Sequence, residues 1–110
     1  AGHHRISQLT AIVDCNALQG FGRVADVLNL EPLSEKWEAF GWEAIEVDGH
    51  DHKALFDATS ERSKYRPKVI LARTVKGKGV SFMEDRLEWR YRSPNDEQLE
   101  AALAEIEGAA

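Results

Sequence analysis

Lys68-Val69-Ile70-Leu71-Ala72-Arg73-Thr74-Val75 is nearly apolar throughout, rich in β-branched residues, and bounded by the Arg66-Pro67 step and by the glycines of Lys76-Gly77-Lys78-Gly79. Length and composition predict a strand rather than a helix. An unbroken apolar run, with no polar alternation, is what a strand covered on both faces of a parallel sheet requires. Two further runs have strand character. Leu9-Thr10-Ala11-Ile12-Val13-Asp14 is also nearly apolar and reads as a second doubly covered strand. In Trp42-Glu43-Ala44-Ile45-Glu46-Val47-Asp48 the acids Glu43 and Glu46 interrupt the apolar residues, which places it nearer a sheet edge.

Helical patterns separate the runs. Leu33, Trp37 and Phe40 share one helical face after Glu31-Pro32, with Pro32 suited to the first turn and Gly41 to the position just past the end. A second helix starts near Asp51, whose side chain can cap it, and carries Leu55, Phe56 and Thr59. The last follows Ser93-Pro94, with Ser93 as cap, Pro94 in the first position, Asp96 and Glu97 favourable to the dipole, and Leu99, Ala102, Leu103 and Ile106 on one face. Strand, helix, strand, helix, strand at this spacing predicts an α/β fold, a parallel sheet with flanking helices.

Ligands of such folds gather at the carboxyl ends of the strands. Here those ends are Asp14 to Gly20, Asp48-Gly49-His50-Asp51 and Thr74 to Gly79, all polar and glycine-bearing. Asn16 can offer an amide oxygen to a hard cation, and the Leu18 carbonyl can join it if the loop curls; taken alone, Asn16 more often caps a turn. Lys76-Gly77-Lys78-Gly79 suits either close approach of a phosphate or a solvated basic turn, and its spacing is not that of a P-loop. Asp48-Gly49-His50-Asp51 reads as a tight turn, with Gly49 at an unusual backbone angle, in preference to a metal or proton-relay site. His3 and His4, as adjacent residues, are expected to face solvent or a neighbour. Cys15 reads as a packed thiol.

The 110 residues suit one small domain, and the net charge of −5, with both signs interspersed, gives no basic patch for nucleic acid. No apolar run approaches the roughly 20 residues of a membrane span. A single cysteine excludes an internal disulfide and fits a reducing cytoplasm. The chain opens on alanine, as expected of a processed, engineered or cut start.

Joined in order, these segments resemble the transketolases. Leu9 to Gln19 is similar to the closing half of the family's thiamine-diphosphate motif, which opens on Gly-Asp-Gly and closes on an asparagine. Pro32-Leu33, Lys36-Trp37-Glu38-Ala39-Phe40-Gly41-Trp42-Glu43, Glu46 to Asp51, Thr74 to Glu84 and the Trp89 segment follow in the family's order. The similarity covers residues 3 to the final helix and is particularly close to the N-terminal subunit of transketolases with separate halves. It implies that residues 1–110 are the C-terminal portion of the diphosphate-binding domain, a partial thiamine-diphosphate-binding fold.

The resemblance further implies Mg²⁺ held by the Asn16 side chain and the Leu18 carbonyl, and thiamine diphosphate near Asn16, Leu18, Lys76 and Arg90. It gives no certain catalytic residue in this chain. The expected activity is transfer of a two-carbon ketol unit from a ketose phosphate to an aldehyde, within a heteromeric, split enzyme. Other chains, or the severed remainder of its own, would supply the Gly-Asp-Gly segment and the pyrimidine-binding domain; a sheet of three strands, which leaves an apolar edge exposed, likewise calls for a larger assembly. A deoxyxylulose-phosphate-synthase-like or natural-product enzyme and a non-catalytic structural fragment are the alternatives. Where the family usually has Trp-His, this chain has Trp89-Arg90; arginine can pair with phosphate through its fork of donors but cannot shuttle protons.

Overall fold

A computed structural model describes residues 1–109. Three parallel strands, β1 (Thr10–Cys15), β4 (Glu43–Asp48) and β5 (Lys68–Arg73), form a sheet in the order β1-β5-β4. A two-stranded antiparallel hairpin pairs β2 (Leu18–Gln19) with β3 (Gly22–Arg23). The helices are α1 (Val24–Val27), α2 (Leu33–Ala39), α3 (His52–Ser60) and α4 (Asp96–Gly108), with a 3-10 turn at Leu87–Arg90. The chain divides into two compact units: 1–15 with 29–74, which holds the parallel sheet, and 16–28 with 75–109, which holds the hairpin.

In the first unit the apolar run is the central strand. Lys68 to Ala72 of β5 are all buried, and β5 takes β1 on one side and β4 on the other, so that Ile12, Ile70 and Ile45 lie in one row. The edge position expected for β4 is observed. β1 differs from expectation: it is the other edge, its residues alternate between exposed and half-buried, and Ile12 is 59% exposed. Two apolar runs of similar composition compete for the centre, and only the one with two neighbours becomes buried.

The strand ends Cys15, Arg73 and Asp48 fall in register, as parallel pairing requires. Arg73 donates to Glu31 at 2.6 Å and to both oxygens of Glu46, at 3.2 and 3.1 Å, and Thr74 donates to Asp14. The paired guanidinium is the main reason the Glu31 carboxyl lies below the usual glutamate range. Lys68 is 2% exposed, and its ammonium donates to the carbonyls of Ala58 and Glu61, closing the end of α3.

Helix ends follow local chemistry. Asp51 Oδ1 accepts from Lys53 N at 2.9 Å and Ala54 N at 3.0 Å, the expected cap. His50 N donates to Asp48 Oδ1 at 2.9 Å, so 48–51 is the expected turn. Gly49, however, does not need a left-handed angle; a Cβ there would lie 2.4 Å from the Thr74 methyl, so closeness excludes a side chain. Gly41 follows α2 at φ +82°, and Pro32 is its N-cap after a cis Glu31–Pro32 bond. Because α2 stops at Ala39, Phe40 leaves the helical face and is exposed, while Trp37 packs edge-on against Trp42, ring centroids 4.8 Å apart.

The cap of α4 corrects the expectation. Asn95, not Ser93, is the N-cap: its side chain accepts from Gln98 N at 2.8 Å while Gln98 Oε1 accepts from Asn95 N at 3.0 Å. This reciprocal box satisfies two free donors where Ser93 could satisfy one. Of the α4 face, Ala102 is buried and Leu99, Leu103 and Ile106 are about half exposed.

Candidate cofactor-binding site

All four residues expected at the site, Asn16, Leu18, Lys76 and Arg90, belong to the second compact unit. Asn16 follows directly on β1. Its Oδ1 accepts from Leu18 N at 3.0 Å, and Ala17 between them takes φ +61°. A left-handed alanine costs about 1–2 kcal/mol, so the turn is held by its surroundings. Val24 N donates to Ala17 O at 2.9 Å. That makes 17–24 a hydrogen-bonded pair and 18–23 the alternate kind, whose N–H and C=O point away from the partner strand. Hairpin register therefore frees the Leu18 carbonyl for an outside group, and the loop does curl.

That group is Arg90. Its Nη2 donates to Leu18 O at 3.2 Å. Arg90 ends the 3-10 turn, which Trp89 fixes: its indole nitrogen donates to Phe82 O at 2.9 Å, its ring meets Phe82 edge-on at 5.3 Å, and Arg92 lies over its face at 5.6 Å.

The glycine-lysine loop is tied to the same hairpin. Asp85, at φ +53°, donates its N–H to Lys76 O at 2.9 Å, and its carboxylate accepts from both terminal nitrogens of Arg23, at 2.5 and 3.4 Å. Arg23 is the strand partner of Leu18. Hydrogen bonds thus link Lys76 through Asp85 to Arg23, which stands opposite Leu18, whose carbonyl accepts from Arg90. Gly77 takes φ +75°, and a Cβ there would lie 2.6 Å from Met83 O, so this position admits glycine alone. Glu84 accepts from Gly79 N at 3.0 Å and lies 4.0 Å from the Lys78 ammonium. An internal carboxylate therefore occupies the Lys78-Gly79 half of the loop, whereas no partner is seen for the Lys76 ammonium among the described residues. Arg23, Glu84 and Asp85 escape a reading of the sequence because their partners are set by the fold, 62 residues apart for Arg23 and Asp85.

Asn16 and Leu18 offer two neutral oxygens two residues apart, which fits Mg²⁺ in donor kind and leaves most of its six positions to other groups. Among the described residues no three His, Cys, Asp or Glu cluster as a metal site. His3 and His4 are exposed, with ring centroids 4.9 Å apart. Cys15 is half-buried, and burial pushes its thiol up, so it is not an activated nucleophile. No helix among the described residues is long and apolar enough to cross a membrane.

Residues 1–97 match the family model described as transketolase, thiamine diphosphate binding domain. The chain belongs to this family. Within the transketolase family it is similar to one of the subunits of an apulose-4-phosphate transketolase from Actinobacillus succinogenes, 39% identical over 96% of this chain and 39% of the relative. A 6-deoxy-6-sulfo-D-fructose transketolase subunit from a Clostridium species is 38% identical over 97% of this chain and 40% of the relative. The fold matches a crystal structure of transketolase from Campylobacter jejuni with a TM-score of 0.81 at 28% identity, covering 97% of this chain and 17% of that one. The chain thus spans about two fifths of the length of the subunit relatives. It is a transketolase N-terminal type domain with a parallel sheet and flanking helices.

Proposed function

We propose that this chain is the C-terminal portion of the diphosphate-binding domain of a thiamine-diphosphate- and Mg²⁺-dependent enzyme that moves a two-carbon ketol unit from a ketose phosphate to an aldehyde. The observation that carries this reading is the 16–18 turn after β1, where Asn16 and Leu18 offer oxygens and Arg90 brings a cation to the same carbonyl. Asn16 and Leu18 would hold the metal. Lys76 and the remaining donors of Arg90 would neutralise the diphosphate. When bound, thiamine diphosphate supplies the nucleophilic carbon on which the ketol unit is carried. Around it the residues of this chain position and screen charge, and a partner subunit supplies the pyrimidine-binding domain. The relatives' names, which call them subunits, support a heteromeric enzyme of this kind. A cytoplasmic location is proposed on the lone cysteine. Arg90 in the family's histidine position favours a donor or acceptor that needs charge rather than a proton at that point.

Asn16→Ala in the assembled enzyme tests the reading. Weaker retention of Mg²⁺ and thiamine diphosphate, read by equilibrium dialysis, is expected; unchanged retention of both would remove Asn16 from the metal site.

A further inference from the structure

The Leu18 carbonyl has two competing claims on it. As a metal ligand it should face a divalent cation, yet here it accepts from a guanidinium at 3.2 Å. The contact is not incidental. The hairpin register aims the carbonyl outward, the left-handed Ala17 sets the turn, and the Trp89 anchor holds the 3-10 turn that carries Arg90. Arginine has five N–H donors, and this carbonyl takes only one of them, which leaves a fork able to take phosphate oxygens.

We infer that Arg90 is a built-in counter-charge: it competes with the divalent cation for the Leu18 carbonyl and takes over part of the cation's hold on the diphosphate. The inference rests on the function proposed above. Two cations on one carbonyl repel each other. A single and a double charge about 5 Å apart, even at the dielectric constant of water, disfavour joint occupancy by roughly tenfold. Conversely, a fixed guanidinium keeps an anion bound when the metal is removed. Arg90 therefore weakens metal binding at the cofactor-free site and strengthens cofactor binding at the metal-free site.

The test uses the assembled enzyme and its Arg90→Gln and Arg90→Lys variants. Thiamine diphosphate affinity is measured by calorimetry with Mg²⁺ and with a chelator, and Mn²⁺ affinity without cofactor is measured by paramagnetic resonance of the free ion. Arg90→Gln is expected to bind Mn²⁺ about tenfold more tightly and, with the chelator present, to bind the cofactor about tenfold more weakly than the parent. Arg90→Lys, which keeps the charge, should stay close to the parent in both. Equal Mn²⁺ affinity, or equal cofactor affinity in chelator, in the parent and Arg90→Gln, or Arg90→Lys behaving as Arg90→Gln does, overturns the role of Arg90 and leaves the proposed function standing. No cofactor binding by any of the three, even with Mg²⁺, overturns the proposed function and this inference with it.

Discussion

Lys68 shows how one residue can be plain in sequence and obscure in role. Its place at the head of the third apolar run is legible, but its burial and its two acceptors, Ala58 and Glu61, depend on where α3 ends against β5. A lysine here supplies charge to carbonyls that lack helical partners, at the end of the dipole that favours a cation. Lys68→Met keeps much of the stem's volume and strands both carbonyls, each costing about 1–3 kcal/mol unsatisfied. A loss of about 2–4 kcal/mol in urea denaturation is expected; a change under about 0.5 kcal/mol would mean that water reaches those carbonyls.

Two acids carry the pH dependence at this scale. Backbone and hydroxyl donors of Ser81, 2.5 and 2.8 Å away, hold the Glu105 carboxyl below the usual range, and Arg73 does so for Glu31. A depressed folded value means that stability is fully present above the ordinary glutamate value and lost as pH falls through the folded one. Glu105→Gln should therefore be less stable than the parent at pH 7, with the difference closing as the pH drops below about 4 in parallel urea titrations. Glu31 is exposed and Glu105 only partly covered, so the effect is small and screened by salt.

At the scale of elements, agreement between local signals decided what was readable. The cap of α3 was legible because Asp51 and the donors it satisfies lie within three residues. For α4 two signals overlap, Ser93-Pro94 and Asn95-x-x-Gln98, and the one that pairs two donors reciprocally prevails. Asn95→Ala should cost about 1 kcal/mol and Ser93→Ala almost nothing, as measured by thermal denaturation of each variant. The hairpin was not legible because strands of two residues are too short to show a period of two. Its hold on the candidate site comes instead from Arg23 and Asp85. Asn16 and Leu18 could be named from their place after β1, but not the Arg90 contact, which spans 72 residues of sequence.

For the molecule as a whole, the parallel sheet was legible from three apolar runs spaced by helical patterns, and the strand order was legible only in part. Composition marks β5 and β1 alike; what separates them is the number of neighbours, a property of the assembled sheet. The consequence is an asymmetry between the two edges. β4 presents Glu43 and Glu46, both exposed, and charges at an edge are how proteins discourage strand pairing with another chain. β1 presents Thr10, Ile12 and Asp14 on its exposed face and has one strand neighbour among the described residues. A half-bare apolar edge of this kind is a template for association. The chain purified by itself should therefore self-associate with rising concentration, and Ile12→Lys should shift it toward monomer in sedimentation velocity. Because Ile12 is more exposed than buried, the same substitution should change folding stability by no more than about 0.5 kcal/mol. If Ile12→Lys leaves the association unchanged, β1 is not its route, and the half-exposed Leu99, Leu103 and Ile106 of α4 become the surface to alter next.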